Sequence, residues 1–175
     1  MEILELRTPA LHHKERAESF KQEFFDAGET VINGSALLDQ ISYENWLSHI
    51  TSNSSAKTVS SDWVVANTFF AIRKTDHKIV GIIDIRHSLN HDFLSAYGGH
   101  IGYSVRPSER CKGYATQMLK MALEFGRSIG LKKVMLGCYA DNIASVRTIE
   151  QCGGIRTEEK PYTDGKLMYI YWITL

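Results

Sequence analysis

The sequence predicts one α/β domain, on two observations. Apolar residues recur at helical spacing in four segments and form extended, β-rich runs in seven others, with the two kinds interspersed along the chain. The chain has 175 residues, of which 43% are hydrophobic and 23% charged, as in ordinary soluble domains. A chain of this length suits a single domain with a sizeable core. The predicted order is a strand, two helices, three strands, a helix, a strand, a helix and two strands.

The first half of the chain contains clear helix and hairpin signals. Apolar residues at helical spacing, closed by Gly28, predict the first helix, and Ser42 opens the second. Two apolar runs joined by Thr75-Asp76-His77 predict a hairpin, in which Gly81 marks a bulge or a close backbone approach. The predicted elements are a strand over 2–7, helices over 11–27 and 42–49, and strands over 64–73 and 78–86.

The second half alternates strands with helices and ends in a hairpin. One strand is almost continuously apolar, as expected of a buried strand. The Gly153-Gly154 pair ends the last helix, and Asp164-Gly165 is a hairpin signal. The predicted elements are a strand over 100–106, a helix from 114 to between 126 and 130, a strand over 133–139, a helix from 142 to the paired glycines, and strands over 155–160 and 166–174.

Charge and cysteine content argue against several classes of protein. The 20 basic and 20 acidic side chains give zero net charge, whereas binding to a nucleic-acid backbone relies on excess Lys and Arg. Three cysteines without CxxC spacing predict neither a disulfide scaffold nor a zinc ribbon, and no histidine group places three metal ligands, so we expect no metal. We see no signal peptide and no apolar run of about 20 residues. We therefore expect a cytoplasmic protein without membrane contact.

One stretch combines the features of an anion site. After a predicted strand and Pro107 comes a short loop with Arg110, Lys112, Gly113 and Ala115, and a helix begins directly behind it. Main-chain N–H groups at a helix N-terminus lack acceptors and lie at the positive end of the macrodipole, so they favour negative charge. Small residues let a phosphate group approach the main chain closely. The alternative is a strand-to-helix turn in which the small residues serve packing.

This loop resembles the acetyl-CoA loop of the GNAT superfamily of N-acetyltransferases. The segment V-R-P-S-E-R-C-K-G-Y-A is similar to the usual form V-x-P-x-x-R-G-x-G-x-G/A, and the later D-N-I-A-S-V-R-T-I-E-Q-C-G-G-I resembles the family's second signature. The two motifs cover residues 99–155, and the N-terminal half matches only in its order of elements. The resemblance, which points to a bacterial branch of acetyltransferases, implies a single GNAT domain over 1–175. Its central sheet would be mixed and mostly antiparallel, with helices on both faces.

The resemblance also implies how acetyl-CoA is held. The main chain of Tyr103 and Val105 would pair with the pantetheine arm, and the amide of Val105, or one beside it, would polarise the thioester carbonyl. The side chain of Arg110 would shape or contact the pyrophosphate loop, while Asn142 and Ser145 would contact the pantetheine and the nucleotide end. The amides that cradle the pyrophosphate would be those of Cys111, Lys112, Gly113, Tyr114 and Ala115.

Two positions depart from the family pattern. Cys111 replaces the usual first glycine of the loop, so we expect this position to need no positive φ. Its thiol lies beside Lys112 and a helix N-terminus, which can activate a cysteine, and the alternative is an unreactive small residue. Glu150 stands where many relatives carry a tyrosine that protonates the leaving thiolate, yet a carboxylate is a poor acid at neutral pH. Tyr139, Tyr114 or a water molecule are the other candidates for the general acid.

Three residues qualify by position as the base that takes up the amine's proton. They are Asp84, His87 and His100, of which the histidines have the most suitable unperturbed pKa. The alternatives are a hydrogen bond within the sheet for His100 and a structural role for Asp84. Arg86 and Asn90 lie in the connection after this strand and suit the substrate, since Arg86 can bind a carboxylate or phosphate by bidentate contact. The alternative for this connection is a solvated loop.

The sequence therefore predicts an N-acetyltransferase that transfers the acetyl group of acetyl-CoA to a primary amine of a small molecule, amino acid derivative or peptide. The alternative is a catalytically silent acyl-CoA-binding module or sensor. We expect the cofactor core at about 99–155, and the substrate side at helices 11–50 and the 86–99 loop. No nucleotide-triphosphate loop or Rossmann fingerprint is present. Relatives often pair, so a homodimer stays open.

Overall fold

The computed structural model describes residues 2–175 and contains the predicted elements in the predicted order. Their boundaries lie within a few residues of the predictions, and the largest difference is at the second helix, which extends to Asn53. The strands are β1 (Leu4–Arg7), β2 (Ala66–Arg73), β3 (Ile79–Arg86), β4 (Ile101–Val105), β5 (Lys133–Tyr139), β6 (Ile155–Pro161) and β7 (Leu167–Thr174). The helices are α1 (Lys14–Asp26), α2 (Tyr43–Asn53), α3 (Tyr114–Ser128) and α4 (Ile143–Gln151).

The strands form two antiparallel sheets that meet at one point. Their orders are β1-β2-β3-β4 and β5-β7-β6, so β4 and β5 are the facing edges. The His100 N–H donates to the Met135 carbonyl at 2.8 Å, and the Met135 N–H donates to His100 Nδ1 at 3.0 Å. Beyond this bridge the two edges are unpaired. The central sheet is therefore divided by a gap between β4 and β5, and this gap positions the candidate site.

Helices cover both faces, as predicted. Alternate residues of a strand point to opposite faces, so β2 sends Phe70 and Ile72 to one side and Ala71 to the other. One apolar cluster joins β2 and β3 to α1 and α2, and includes the fully buried Trp46. A second joins the strands to α3 and α4, and includes Met118. The second cluster holds α3 and α4 in place around the gap.

The structure confirms both predictions for Gly81, the β-bulge and the close approach to its backbone. Gly81 pairs with Ala71 whereas Ile79 pairs with Ile72, so Val80 is the extra residue of a β-bulge. A Cβ atom at Gly81 would also overlap the side chain of Met118, which packs directly on the strand. Within residues 2–175 no helix has both the length and the apolar character needed to cross a bilayer.

Candidate active site

A cleft of about 520 Å³ lies between the unpaired edges of β4 and β5. The two ends of β4 bond to β3, since the His100 carbonyl accepts from it and the Arg106 N–H donates to it, each at 2.8 Å. Main-chain groups alternate in direction along a strand, so those of Tyr103 and Val105 point away from β3 and toward β5. These are the two residues whose main chain was predicted to pair with an extended ligand.

The segment of residues 107–115, hereafter the anion loop, leads from β4 into α3. Gly113 caps α3 with a left-handed φ of 80°, and no side chain caps this helix. The main-chain N–H groups of residues 111–115 find no acceptor within the described chain. Cys111 has a φ of 62°, so the expectation that this position needs no positive φ is wrong. The loop keeps the backbone of its usual glycine and bears the strain of a side chain there.

Glu109 fixes the anion loop to the β2–β3 hairpin. This almost fully buried carboxylate pairs with Arg73 at 2.9 Å and with Lys78 and Lys112 at 2.8 Å each. The pKa of Glu109 falls to about 2, because the hydrogen bonds from these three cations outweigh the burial that would raise it. Sequence analysis did not identify Glu109, since two of its three partners, Arg73 and Lys78, come from a hairpin 36 and 31 residues earlier.

The two cations predicted beside the anion are engaged in ion pairs. Arg110 binds Glu29 through both terminal nitrogens at 2.7 and 2.8 Å, and its Nε donates to the Val105 carbonyl at 3.2 Å. Hydrogen bonding to Glu29 raises the pKa of Arg110. Arg110 thus shapes the loop and occupies the carbonyl of Val105, whose N–H points away from β3. Lys112 is held by Glu109.

The N-terminal part of α4 forms one wall of the cleft. Asn142 caps the helix by accepting from the Ser145 N–H at 3.2 Å, and both residues line the cleft together with Ile149. Glu150 lies outside this lining, is exposed, and accepts from the Tyr171 hydroxyl at 3.0 Å. Burial raises the pKa of Tyr171 to about 12. Glu150 thus lies behind the cleft lining, close to Cys138, and its role as the acid stays a prediction.

The tyrosines predicted as alternative acids differ in position. Tyr139 lines the cleft, but its hydroxyl donates to Asp164 at 2.9 Å, and burial raises its pKa to about 12. The Tyr114 hydroxyl accepts from Arg73 at 3.2 Å on the side of the anion loop away from the cleft lining. A third tyrosine, Tyr103, lines the cleft, but its hydroxyl is buried near Ser145 and Thr148 of α4.

The predicted bases are not gathered at one point. His100 is 7% exposed and lies outside the cleft lining, where its Nδ1 accepts the bridge to β5; burial lowers its pKa to about 4. This is the predicted alternative of a bond within the sheet. His87 Nε2 lies 2.7 Å from Asn67 Oδ1, and burial lowers its pKa. Asp84 is buried, accepts from Thr68 at 2.8 Å, and pairs with Arg86.

A side pocket of about 270 Å³ adjoins the cleft. Arg86 and Phe93 line both cavities, whereas Asp84 lines the side pocket but not the cleft. The guanidinium of Arg86 is held by Asp84 at 3.0 Å and by the carbonyls of Gly98 and Gly99 at 3.2 and 3.3 Å. Asn90 is exposed and lines neither cavity, so the structure does not bring it together with Arg86.

An aromatic wall, of which sequence analysis named only Tyr139, lines one side of the cleft. It consists of Phe93, Tyr97, Tyr139 and Tyr162, with the rings of Tyr97 and Tyr162 5.0 Å apart. Tyr97 belongs to a short π-helical turn, Leu94–Gly98, inside the connection for which a solvated loop was the predicted alternative. Aromatic residues in otherwise polar connections were the available signal.

Solved structures with this fold cover nearly the whole chain. The ribosomal-protein-S5-alanine acetyltransferase of Vibrio fischeri matches with a TM-score of 0.72 and 16% identity, over 99% of this chain and 94% of that one. The spermidine/spermine N-acetyltransferase SpeG of Vibrio cholerae matches with a TM-score of 0.67 and 14% identity, over 98% and 93%. The microcin C7 self-immunity acetyltransferase MccE, solved with acetyl-CoA and AMP, matches with a TM-score of 0.66 and 21% identity, over 98% and 92%.

The sequence comparisons identify a family but no individual curated relative. No curated protein matches the chain. The model of the acetyltransferase (GNAT) domain matches residues 4–155, which is most of the sequence and includes both the anion loop and α4. The match agrees with the divided sheet, the helices on both faces and the cleft between β4 and β5. This chain therefore belongs to the GNAT family of acetyltransferases.

Proposed function

We propose that this protein is an N-acetyltransferase that moves the acetyl group of acetyl-CoA to a primary amine of a small molecule, an amino acid derivative or a peptide. The observation that carries the proposal is the cleft, in which the open edge of β4 leads to a loop with five N–H groups that lack acceptors. Such an edge pairs with an extended arm, and such a loop binds a pyrophosphate.

The residues present fit acetyl-CoA. We assign the pantetheine arm to the main chain of Tyr103 and Val105, and the pyrophosphate to the N–H groups of residues 111–115. Asn142 and Ser145 lie on the opposite wall as further contacts. Bound acetyl-CoA supplies an activated acyl group. The free N–H of Val105 is our candidate for the donor to the thioester carbonyl, because Arg110 occupies only the carbonyl of that residue.

We assign the acceptor to the side pocket and the aromatic wall. The side pocket opens beside the cleft through Arg86 and Phe93, so an amine held there lies next to the donor. Of the three predicted bases, only Asp84 lines this pocket, and we propose it as the group nearest the proton that the amine must lose. His87 stays a weaker candidate, and the geometry of His100 speaks against it. Within the predicted substrate side of residues 11–50 and the 86–99 loop, we assign the acceptor contacts to the connection between α1 and α2 and to the 86–99 loop, since both line the cavities.

The net charge, the cysteines and the C-terminal hairpin bear on the partners and the localisation that we propose. Zero net charge supports an acceptor other than nucleic acid, and no membrane role is proposed. The described cysteines are unpaired, which supports the reducing cytoplasm. The exposed Ile155 and Leu167 lie on the β6–β7 hairpin and support a homodimer through this edge.

Ligand-dependent unfolding tests the proposal first. At 100 times its Kd, acetyl-CoA should raise the free energy of unfolding by about 2.7 kcal/mol, which is several degrees in Tm, while NAD and ATP should not. Gly113→Val should weaken acetyl-CoA binding at least about tenfold, because its left-handed cap and close approach are lost. Gly130→Val, at a φ of 88° after α3, is the matched control with similar strain and unchanged affinity.

Release of CoA across a panel of amines then separates the two candidate functions. Turnover with any primary amine supports the transferase. Binding of acetyl-CoA without release for every amine would identify the silent acyl-CoA module instead. Failure of both CoA species to shift Tm at millimolar concentration would reduce the anion loop to a turn and contradict the proposal.

A further inference from the structure

Arg86 lies where the cleft and the side pocket meet, and one end of its guanidinium is unused. Its Nε pairs with Asp84 at 3.0 Å, and its Nη1 donates to the carbonyls of Gly98 and Gly99 at 3.2 and 3.3 Å. Its Nη2 donates to no acceptor in residues 2–175. No buried nitrogen in this part of the chain lacks a partner, so the unpartnered Nη2 is open to solvent.

The position of Nη2 is beside β4, in the cleft. A Cβ atom at Gly102 would lie 3.3 Å from Nη2, and Gly102, Gly34 and Arg86 all line the cleft. The next residue of β4 is Tyr103, whose main chain we assign to the pantetheine arm. The anion loop follows the other end of β4. An anionic group bound to Nη2 would therefore lie on the acyl side of the pantetheine path.

The side pocket offers an apolar space next to this nitrogen. Its apolar lining residues are Ala36, Trp63, Val64, Ala66, Phe93 and Leu94. The ring of Trp63 packs against that of His49 at 4.6 Å, which holds it in place. A cavity of about 270 Å³ suits the side chain of one small molecule better than a longer segment of chain.

The charges at this junction match those of a zwitterion. Asp84 and Arg86 both line the side pocket and form one ion pair. An α-amino acid carries its carboxylate and its ammonium group on one carbon, so each charge meets an opposite one, at Arg86 and at Asp84. A phosphate dianion would instead face the carboxylates of Asp84 and Asp62. A simple amine would leave Nη2 without a partner.

Resting on the proposed function, we propose that the acceptor is a free α-amino acid with an apolar side chain. Nη2 of Arg86 binds its carboxylate through charge-assisted hydrogen bonds, and the side pocket takes its side chain. Asp84 lies next to its amine. A peptide has an amide in place of this carboxylate and continues beyond it, so these contacts select a free amino acid over an N-terminal residue.

Matched acceptors test the proposal on the wild-type protein. L-Leucine, isoamylamine and L-leucinamide share one side chain, but the second lacks the carboxylate and the third has a neutral amide in its place. We expect kcat/KM for L-leucine to exceed the values for the other two by about 100-fold, with CoA release as the measurement. Equal values, or turnover of amines but of no amino acid, would overturn the proposal.

Arg86→Gln and Arg106→Gln are the matched variants. Arg106 is likewise anchored by a carboxylate, Glu23 at 2.6 Å, and by the carbonyl of Ile79 at 3.2 Å, but it lines neither cavity. In Arg86→Gln the preference for L-leucine over isoamylamine should fall at least about tenfold. Arg106→Gln should keep the wild-type preference. Loss of folded protein lowers both rates alike, so an unchanged preference in Arg86→Gln would contradict a role in binding the carboxylate.

Thermal unfolding in the presence of CoA gives a readout besides turnover. L-Leucine should raise the Tm of the wild type more than isoamylamine does, and this difference should be absent in Arg86→Gln. The same difference in both proteins would overturn the proposal. If acetyl-CoA neither binds nor reacts with any amine, the proposed function fails, which is a distinguishable result.

Discussion

The anion loop and the opposite wall of the cleft are held by different forces. Glu109 collects three cations and fixes the loop by charge before any ligand arrives. The 93–99 segment is held by shape, since Tyr97 packs against Tyr162 and its carbonyl lies directly on Gly137 of β5. The ion pairs of Glu109 hold the anion loop in one backbone conformation, which suits a loop that always binds the same ligand. The 93–99 segment depends instead on side-chain packing between distant parts of the chain. Substitutions in this packing would therefore change the shape of the proposed acceptor site.

The largest effect is expected where the wall meets β5. A Cβ atom at Gly137 would overlap the main-chain carbonyl of Tyr97, which cannot rotate away. Gly137→Ala should therefore displace the 93–99 segment, lower the free energy of unfolding by up to about 3 kcal/mol, and raise the KM for the amine at least about tenfold. The Kd for acetyl-CoA should change little, because the anion loop is held independently.

Chemical denaturation, steady-state kinetics and calorimetry check this prediction. Gly126→Ala is the matched control, since its nearest neighbour is a terminal methyl group of Leu175 that can move. An equal loss of affinity for donor and acceptor in Gly137→Ala would show that the two sides of the cleft are not independent.

The anion loop depends in the same way on the ion pairs of Glu109. Glu109→Gln leaves three cations facing a neutral group and should lower the free energy of unfolding by about 2 kcal/mol at pH 7. The depressed pKa makes this contribution fully present above the ordinary value of 4.5 and lost as pH falls toward about 2. The difference between wild type and Glu109→Gln should thus be constant above pH 5 and shrink between pH 4.5 and 2.

Urea denaturation across this pH range gives the measurement. Glu159→Gln is the control, because Glu159 is half exposed and its ion pair with Arg156 is 3.5 Å long. A difference that grows on acidification would contradict the sign derived for Glu109.

The same contrast explains what the sequence could predict. The elements and the anion loop follow from local patterns, because a Pro-marked turn, small residues and an amphipathic helix all lie within a few positions of one another. Gly81 was readable as a bulge for the same reason. The cleft between β4 and β5 was implied only by the family resemblance, since no local pattern tells that two strands do not pair.

The chemistry of single side chains was the least predictable part. His100 has the residue type of a base, but its neighbour across the gap, Met135, uses it as an acceptor 35 positions away. Glu150 was assigned by its place in a motif, whereas the orientation of α4 turns it toward Tyr171. Tyr103 was expected to act through its main chain, and no local pattern predicts that its hydroxyl lies buried near Ser145 and Thr148 of α4.

The smallest effect tests the one strained position in the anion loop. Cys111 holds a φ of 62° with an exposed side chain, and a non-glycine residue pays about 1–2 kcal/mol for that conformation. Glycine adopts this conformation without that strain, but its greater freedom in the unfolded chain costs about 0.5–1 kcal/mol. Cys111→Gly should therefore raise the free energy of unfolding by about 0.5–1 kcal/mol with acetyl-CoA affinity kept or improved. Cys111→Ala keeps the strain and should match the wild type. A loss of stability or affinity in Cys111→Gly alone would mean that the thiol itself, rather than the backbone, is what the loop retains.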